Sequence, residues 1–358
     1  MKKIQIVTII WFYTILAVPL IFFNHKADQV SEIDNRALTD IPHQWTPSLF
    51  EKYLEDRMGF RNEKIKAYTV INDKLFHEMI HPIYEYGQED YVFFKIRPEV
   101  IDENYLTIYT DFLAQMQKDC ENQDIMFRYW LNPSKSAVYD EYLPKGVTLQ
   151  YEATNYLIQL LNDKGITYTH SLDVLKEAKE TQQVFNRQYD AGHWNDTGAF
   201  VGVQELYTDL IESGADIEHI RIENYELEEE RFTMLPVSFF SIQDSAMKFV
   251  PKIDNAKTDE RYTGIIELDE TYRTFEHHRN LEQEDKPKLL IFHGSYLITG
   301  ERYKFLLEHF SEVTRVHNYR NVQKYQEYID LLNPDIVIFE SADYVINESY
   351  FPVELIGR

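Results

Sequence analysis

Apolar positions in the C-terminal third of the chain alternate between short continuous runs and stretches with a helical period. The runs at 288–293, 313–317 and 335–340 predict buried strands, and the stretches at 301–310 and 321–332 predict helices between them. Strands that alternate with helices of this length are typical of βαβ units, which build a parallel sheet. The pattern therefore predicts an α/β fold in which helices flank a parallel sheet.

The middle of the chain repeats this alternation and then changes character. Apolar residues at i, i+3, i+4 and i+7 predict an amphipathic helix over 105–116. A predicted strand at 125–131 and predicted helices at 152–162 and 197–211 follow. Residues 216–285 differ, because an acidic run and short aromatic runs replace the helical period. We interpret that region as an insertion or a β-rich excursion.

The N-terminal segment contains a long uncharged run. Residues 4–23 form a stretch of 20 residues without a charge, which is long enough to cross a bilayer as a helix. Lys2 and Lys3 precede it, and the positive-inside rule keeps such lysines in the cytoplasm. We therefore expect a single-pass anchor in the cell membrane, with the remaining chain outside the cytoplasm. A cleaved signal peptide is the alternative, although its apolar core is usually shorter.

These patterns divide the chain into three parts. Residues 1–24 are the expected transmembrane anchor with a short cytoplasmic N-terminus. Residues 25–80 are expected to be a stalk and helical lead-in, where Thr46-Pro47 predicts a helix start with Thr as N-cap. Residues 81–358 are expected to form the α/β domain, which contains the insertion at 216–285.

Composition excludes several classes of partner. The chain has 36 Lys and Arg against 60 Asp and Glu, a net charge of -24, so it would repel the phosphates of nucleic acid. Its one cysteine, Cys120, excludes an intramolecular disulfide. The sequence has no P-loop, G-x-G-x-x-G or C-x-x-C motif, and no cofactor is predicted.

Ser295 is the candidate nucleophile. It follows the buried run 288–293 at the entry to a predicted helix, where its own backbone N–H can stabilise an oxyanion. Asp190 and His193 lie three residues apart, in a segment that Gly192 marks as a loop. In such a loop Asp190 can accept one imidazole N–H while His193 presents its other nitrogen to Ser295.

Each of these motifs is also compatible with a purely structural role. A Gly-Ser pair after a buried strand often only forms a turn, and a histidine beside a tryptophan is often packed in the core. D-x-x-H and H-G-S are not distinctive, so either motif alone favours the structural role.

Six segments match, in the same order, the motifs of one protein family. They are Asn35-Arg36 with Pro42 (N-R…P), 56–61 (D-x-x-x-x-R), Gly87 with 91–94 (G-x-x-G-W-L-F), 132–144 (P-x-K-x-x-V-Y…L-P), 190–199 (D-x-H-W-T-x-x-G-A) and Gly294-Ser295 (G-D-S-F). The chain thus resembles the membrane-anchored SGNH-hydrolase-like proteins related to the alginate O-acetyltransferases AlgX and AlgJ and to the DHHW family.

The resemblance implies an SGNH-hydrolase-like fold and a triad of Ser295, His193 and Asp190. It also implies transfer of an acetyl group to a polysaccharide hydroxyl outside the membrane, with a multi-spanning membrane acyltransferase as the acyl donor. Arg320 matches a family arginine that would bind an acyl oxygen or the glycan, although a plain ion-pair arginine is an equal alternative. Gly294 and Tyr296 of the nucleophile turn are the other candidate oxyanion or substrate residues.

The chain departs from the family motifs mainly in two places, beside smaller changes: the second Gly and the Trp of G-x-x-G-W-L-F are missing, and Asn195 replaces the Thr of D-x-H-W-T. Gly294 stands where G-D-S has an aspartate, and Asp190 and His193 are separated by one residue more than in D-x-H. A triad is defined by its geometry, so both roles can survive these changes. The alternatives left open are a carbohydrate esterase of the same fold and a catalytically degenerate glycan-binding assembly protein.

A literal H-E-x-x-H motif competes with this interpretation. The segment His77-Glu78-Met79-Ile80-His81 would, on a helix, place two histidines on one face for zinc, with Glu78 as general base of an anchored metalloprotease. Against it, Pro82 follows at once and no third ligand is marked. The adjacent pair His277-His278 is a weaker metal signal, because neighbouring side chains on a strand point to opposite faces.

Overall fold

The computed structural model describes most of the chain. The described residues are 2–26, 29–31, 36–42, 44–96, 101–236, 240–253 and 255–357. Asn35 of the first matched segment and residues 237–239 and 254 of the predicted insertion lie outside them. The chain divides into two compact units, Met1–Tyr86 with Phe232–Gln243 and Gly87–Arg231 with Asp244–Arg358.

The described helices and strands follow one another in the expected α/β manner. The helices are α1 Lys2–Ile21, α2 Pro47–Arg57, α3 Arg61–Phe76, α4 Glu103–Glu121, α5 Lys135–Val138, α6 Glu152–Asp163, α7 Leu172–Ala178, α8 Asp196–Glu212, α9 Ser295–Ile298, α10 Tyr325–Leu332 and α11 Val353–Ile356. The strands are β1 Val30–Ser31, β2 Arg36–Ala37, β3 Tyr84–Tyr86, β4 Val92–Phe94, β5 Met126–Asn132, β6 Tyr168–His170, β7 Tyr225–Met234, β8 Ser241–Pro251, β9 Ala256–Thr258, β10 Phe275–Asn280, β11 Lys288–His293, β12 Glu312–His317 and β13 Ile336–Ala342.

The larger unit is built on a seven-stranded sheet with the order β6-β5-β13-β11-β12-β10-β9. The five strands from β6 to β12 pair in parallel, and β10 and β9 extend one edge antiparallel. Strands β11 and β13 are almost wholly buried, as expected for parallel strands covered on both faces. The predicted α/β fold with a parallel sheet flanked by helices is confirmed.

The path of the chain through this sheet marks a place for a ligand. From β11 the chain passes to β12 on one side, and from β12 it crosses back to β13 on the other side of β11. The carboxyl ends of β11 and β13 therefore flank a topological switch point, where open α/β sheets bind their ligands. Ser295 follows β11 at this point.

The described residues of the region 216–285 form four strands. Strands β7 and β8 form a separate two-stranded sheet, whereas β10 pairs with β12 and joins the central sheet. Part of the region is thus an edge of the α/β domain.

The predicted helix at 301–310 is wrong. Residues Thr299–Leu306 instead form a 3₁₀ segment that is interrupted by left-handed backbone at Gly300, with φ 66, and Glu301, with φ 55. Two left-handed residues in succession break the hydrogen-bond ladder of an α-helix. The apolar residues whose spacing predicted a helix therefore lie on an irregular turn.

The smaller unit begins with α1. It is the one helix in the described part of the chain that is long and apolar enough to cross a membrane, by length and composition. Further along, Thr46 caps α2, since its hydroxyl accepts the backbone N–H of Leu49 at 3.2 Å. The predicted helix start at Thr46-Pro47 is therefore confirmed.

Candidate active site

The nucleophile turn joins β11 to the short helix α9. Gly294 is the N-cap residue and Ser295 is the first residue of the helix. Ser295 is half-buried, with the rigid buried strand behind it. A serine here is held at the carboxyl edge of the sheet while its hydroxyl stays accessible.

The loop before α8 brings Asp190 back onto His193. Asp190 adopts left-handed backbone with φ 58, and its Oδ1 accepts the backbone N–H groups of Gly192 at 3.2 Å and His193 at 3.1 Å. Any side chain on Gly192 would overlap the ring of Phe94, so the close packing of this loop requires glycine. The local hydrogen bonds fix the carboxylate beside the imidazole.

Asp190, His193 and Ser295 form one hydrogen-bonded row. Nδ1 of His193 lies 2.9 Å from both carboxylate oxygens of Asp190, and Nε2 lies 2.8 Å from Ser295 Oγ. With the Nδ1 proton donated to Asp190, the Nε2 lone pair faces the serine hydroxyl and can accept its proton. The structure thus brings together the three residues that the sequence predicted as a triad.

The environment of Asp190 keeps its carboxylate charged. Burial raises the pKa of this carboxyl, but the hydrogen bond and charge of His193, together with the Arg302 guanidinium, outweigh burial and lower the pKa to about 2. Arg302 is itself buried, and burial lowers its own pKa while the Asp190 and Asp196 carboxylates oppose that shift. A permanently ionised Asp190 can stabilise an imidazolium on His193.

Tyr296 ties the two halves of this site together. Its hydroxyl lies 2.8 Å from the carbonyl oxygens of both Pro133 and Gly192, to which it can donate. Its own carbonyl accepts the indole N–H of Trp194 at 3.0 Å. Because Tyr296 is buried and its hydroxyl proton is shared between these carbonyls, it positions the turn and the histidine loop relative to each other.

The other two candidate substrate residues lie in different surroundings. The backbone N–H of Gly294 donates to Glu340 Oε2 at 2.7 Å, so this donor already has an acceptor. Arg320 is exposed, with left-handed backbone at φ 54 in the turn after β12, and its charge acts on Tyr272. Among the described residues, Arg320 forms no hydrogen bond or ion pair with a residue of the triad.

Three polar residues near the nucleophile turn were not predicted as site residues from the sequence. Burial raises the pKa of Tyr319 far above its usual value, and the nearby Ser295 side chain opposes that shift. Asn132 and Glu340 lie at the carboxyl ends of β5 and β13 and hydrogen-bond to each other at 3.1 Å. Each of the two lies at or beside the end of a predicted strand, which is the signal that would have found them.

The zinc interpretation of the segment 77–81 does not fit the structure. Helix α3 ends at Phe76, and His77 is its left-handed C-cap with φ 53, so the two histidines do not share a helix face. His77 stacks on Tyr86 at 4.7 Å between ring centroids, and His81 stacks on Tyr84 at 4.4 Å. Within the described residues, no group of three or more His, Cys, Asp or Glu side chains could hold a metal ion.

An open cleft lies along the segment that leads into the histidine loop. We call it the tyrosine cleft; its volume is about 470 Å³ and it is lined by Tyr91, Tyr139, Glu141, Tyr142, Lys179, Glu180, Thr181, Gln182, Gln183 and Arg187. Tyr91 and Tyr142 stack at 4.2 Å between ring centroids. Amides, hydroxyls and charges of both signs line the cleft together with the tyrosine rings, a combination that suits a polar ligand with apolar faces.

Comparisons with known proteins support the fold. No protein-family model matches the sequence, and a comparison with curated proteins finds no match. PatB1 of Bacillus cereus, solved with a sulfonyl adduct, matches in structure with a TM-score of 0.57 and 16% identity, over 74% of this chain and 95% of that one. The O-acetyltransferase domain of Pseudomonas putida AlgJ matches with a TM-score of 0.54 and 16% identity, over 77% and 98% of the two chains.

A DHHW family protein from Eubacterium siraeum has the same fold. It matches with a TM-score of 0.55 and 13% identity, over 77% of this chain and 96% of that one. The chain therefore has the SGNH-hydrolase-like fold of the group that its motifs resemble, as predicted.

Proposed function

We propose that this chain is an extracytoplasmic O-acetyltransferase that modifies a polysaccharide through an acyl-enzyme on Ser295. The observation that carries the proposal is the row of Asp190, His193 and Ser295, with separations of 2.9 Å and 2.8 Å, at the switch point of the sheet. The likeness to the O-acetyltransferase domain of AlgJ supports acetyl transfer as the type of reaction.

The first half-reaction acylates the serine. Ser295 Oγ attacks the carbonyl carbon of the acetyl donor while His193 Nε2 takes the hydroxyl proton and Asp190 stabilises the imidazolium. The backbone N–H of Ser295 and the hydroxyl of Tyr319 are the proposed donors to the oxyanion. The first belongs to the nucleophile itself, and the second belongs to a residue near its side chain. His193 then returns the proton to the leaving group of the donor.

The second half-reaction transfers the acetyl group. A glycan hydroxyl loses its proton to His193 and attacks the acyl-enzyme, and the same imidazole then protonates the departing Ser295 oxygen. If water takes the place of the glycan, the same steps give an esterase. We propose a multi-spanning membrane acyltransferase as the acyl donor, and α1 as the anchor that holds the domain beside it outside the cytoplasm.

The acyl-enzyme can be tested with a chromogenic donor. Full-length protein in detergent is incubated with p-nitrophenyl acetate, and Ser295→Ala is expected to lose p-nitrophenolate release. Ser311→Ala is the matched control, because Ser311 precedes β12 and lies at the opposite, amino edge of the sheet. Release that is unchanged in Ser295→Ala would exclude Ser295 as the nucleophile.

The acceptor can be tested with soluble oligosaccharides. Transfer predicts that an acceptor glycan speeds p-nitrophenolate release and itself becomes acetylated, whereas an esterase gives acetate alone. We assign the tyrosine cleft to the acceptor, since its lining of tyrosine rings and polar side chains suits a sugar. Tyr142→Ala should then raise the acceptor KM and leave release without acceptor unchanged.

A further inference from the structure

Glu340 is a fully buried carboxyl group directly behind the nucleophile turn. It has no exposed surface, and its Oε2 accepts the backbone N–H of Gly294 at 2.7 Å. Its Oε1 accepts the side-chain amide N–H of Asn132 at 3.1 Å. One carboxyl group from β13 therefore connects the carboxyl ends of β11 and β5.

The carboxyl group of Glu340 lies next to the position that a side chain on residue 294 would occupy. A Cβ added to Gly294 would lie 3.6 Å from Glu340 Oε2, 3.6 Å from Asn318 Nδ2 and 3.5 Å from the Tyr319 hydroxyl. These are ordinary van der Waals distances, and the φ of Gly294, -95, suits any residue. Backbone geometry therefore does not require glycine here, and a short acidic side chain would place its oxygens among the same groups.

The surrounding hydrogen bonds hold the backbone of Glu340 and the amide that its carboxyl group contacts. Asn318 donates its side-chain N–H to the Glu340 backbone carbonyl at 2.6 Å. Ser171 donates its hydroxyl to Asn132 Oδ1 at 3.1 Å, which directs the amide nitrogen of Asn132 at Glu340. The network fixes Gly294 and, through it, the direction of the Ser295 side chain.

We propose that Glu340 is the positioning residue of the nucleophile turn. Its carboxyl group holds the backbone N–H of Gly294 and thereby keeps Ser295 Oγ within reach of His193. It supplies, from a neighbouring strand, a carboxyl group in place of the one that the G-D-S motif carries on residue 294 itself. The kinetic readout of this inference rests on the proposed function, and the stability readout does not.

The charge state of Glu340 gives the inference a second consequence. Burial raises the pKa of this carboxyl from 4.5 to about 7, against the hydrogen bonds from Gly294 and Asn132 and the charge of His193. The other titratable groups that face it are hydroxyls, and its charge raises the pKa of each: Tyr129, Tyr296, Tyr319 and Tyr344. Ionised Glu340 attracts an imidazolium on His193, so its ionisation should raise kcat as the pH passes about 7.

Moving the carboxyl group between the two positions tests the positioning role. In full-length protein with p-nitrophenyl acetate, Glu340→Ala should lower kcat about 100-fold with little change in KM, because a misplaced nucleophile loses its near-attack geometry. Gly294→Asp alone should also lower kcat, since it crowds two carboxyl groups into a dry space. The double variant Gly294→Asp with Glu340→Ala should recover at least about tenfold over Glu340→Ala, or about 1.4 kcal/mol.

The matched control is Gly294→Ala with Glu340→Ala, which adds the Cβ without a carboxyl group. It should not recover activity, although circular dichroism and cooperative melting should show that both double variants are folded. Equal activity of the two folded double variants would overturn the positioning role. If wild type and Ser295→Ala release p-nitrophenolate equally, the proposed function fails and the stability readout alone decides the inference.

The stability readout follows the melting temperature against pH. Since the pKa of Glu340 is raised on folding, its stabilising contribution is complete below about 4.5 and is lost as the pH rises through about 7. The advantage of wild type over Glu340→Ala in melting temperature should therefore shrink between pH 5 and pH 8. An advantage that stays constant, or grows, over that interval would contradict a buried Glu340 carboxyl group at this position.

Discussion

His81 lies in the loop after α3 and His193 lies in the loop before α8, but the two imidazoles contact different groups. His81 stacks on Tyr84 at 4.4 Å, and its Nδ1 accepts the backbone N–H of Tyr84 at 3.3 Å. His193 lies between a carboxylate at 2.9 Å and the hydroxyl of Ser295 at 2.8 Å. One imidazole therefore has an aromatic and backbone environment, whereas the other has an acid and a nucleophile.

This difference shows that a sequence motif can form a functional site only when it lies on the secondary-structure element that the site requires. H-E-x-x-H needs a continuous helix, and α3 ends at Phe76 before the motif begins. D-x-x-H needs only a tight loop and a partner from elsewhere in the chain, and β11 delivers Ser295 to that loop across 102 positions of sequence. H-E-x-x-H is the more specific sequence motif, yet it forms no metal site within the described residues.

The largest expected effect separates the two histidines directly. His193→Ala removes the general base, and we expect kcat with p-nitrophenyl acetate to fall by about 10⁴-fold or more. His81→Ala is the matched control and should change kcat by no more than about twofold. Initial rates of the two full-length variants check this; comparable losses in both would mean that the distinction between the two motifs is mistaken.

Asp190→Asn should have the next largest effect. An amide can no longer fix the tautomer of His193, and we expect kcat to fall about 10³- to 10⁴-fold. Because the pKa of Asp190 is lowered to about 2 on folding, its stabilising contribution is present above about 3.8 and is lost as the pH falls through about 2. Asp190→Asn should therefore cost about 2 kcal/mol of unfolding free energy at pH 7 and progressively less below pH 4, measured by denaturant titration. A cost independent of pH would contradict the charged carboxylate.

Arg302→Met should produce a smaller loss, because it removes only a neighbouring charge. The Arg302 guanidinium helps to lower the pKa of Asp190, so we expect the pKa of that carboxyl to rise and kcat to fall roughly tenfold at acid pH, where the carboxyl then begins to be protonated. Lys304→Met is the control, since Lys304 pairs with Asp196, as Arg302 does at 3.5 Å, but is not one of the main charges that lower the pKa of Asp190. Similar kcat values for the two methionine variants would show that the charge of Arg302 does not act through the triad.

The smallest expected effect is that of removing the H-E-x-x-H histidines. His77→Gln together with His81→Gln should leave kcat within about twofold of wild type, and EDTA should not change the rate of either protein. Metal analysis of the purified chain checks the same point. Stoichiometric zinc that disappears in the double variant would restore the metalloprotease interpretation.

Much of the fold could be predicted because it depends on local patterns. Continuous apolar runs identify β11, β12 and β13 within a residue or two, since parallel strands are buried on both faces. The helix predicted at 301–310 failed because the left-handed residues Gly300 and Glu301 break a period that side-chain polarity alone cannot reveal.

The site residues also differ in how well they could be predicted, depending on whether their contacts are local in sequence. Asp190 and His193 could be predicted because a loop three residues long brings them together. Glu340 could not, because its contact with Gly294 spans 46 positions and depends on β13 lying beside β11 in the sheet. Tyr319 was likewise overlooked in favour of its exposed neighbour Arg320. The burial of each side chain, and the direction in which it points, are set by the folded turn.

The most direct test of the account is to locate the acyl group. Full-length protein is mixed with p-nitrophenyl acetate, quenched in acid during turnover, digested and mapped by mass spectrometry. The account predicts one acetyl group on the peptide that contains Ser295, absent in Ser295→Ala and accumulating when His193 is intact. Continued turnover with the acetyl group on another residue, or with no covalent intermediate at Ser295, would contradict it.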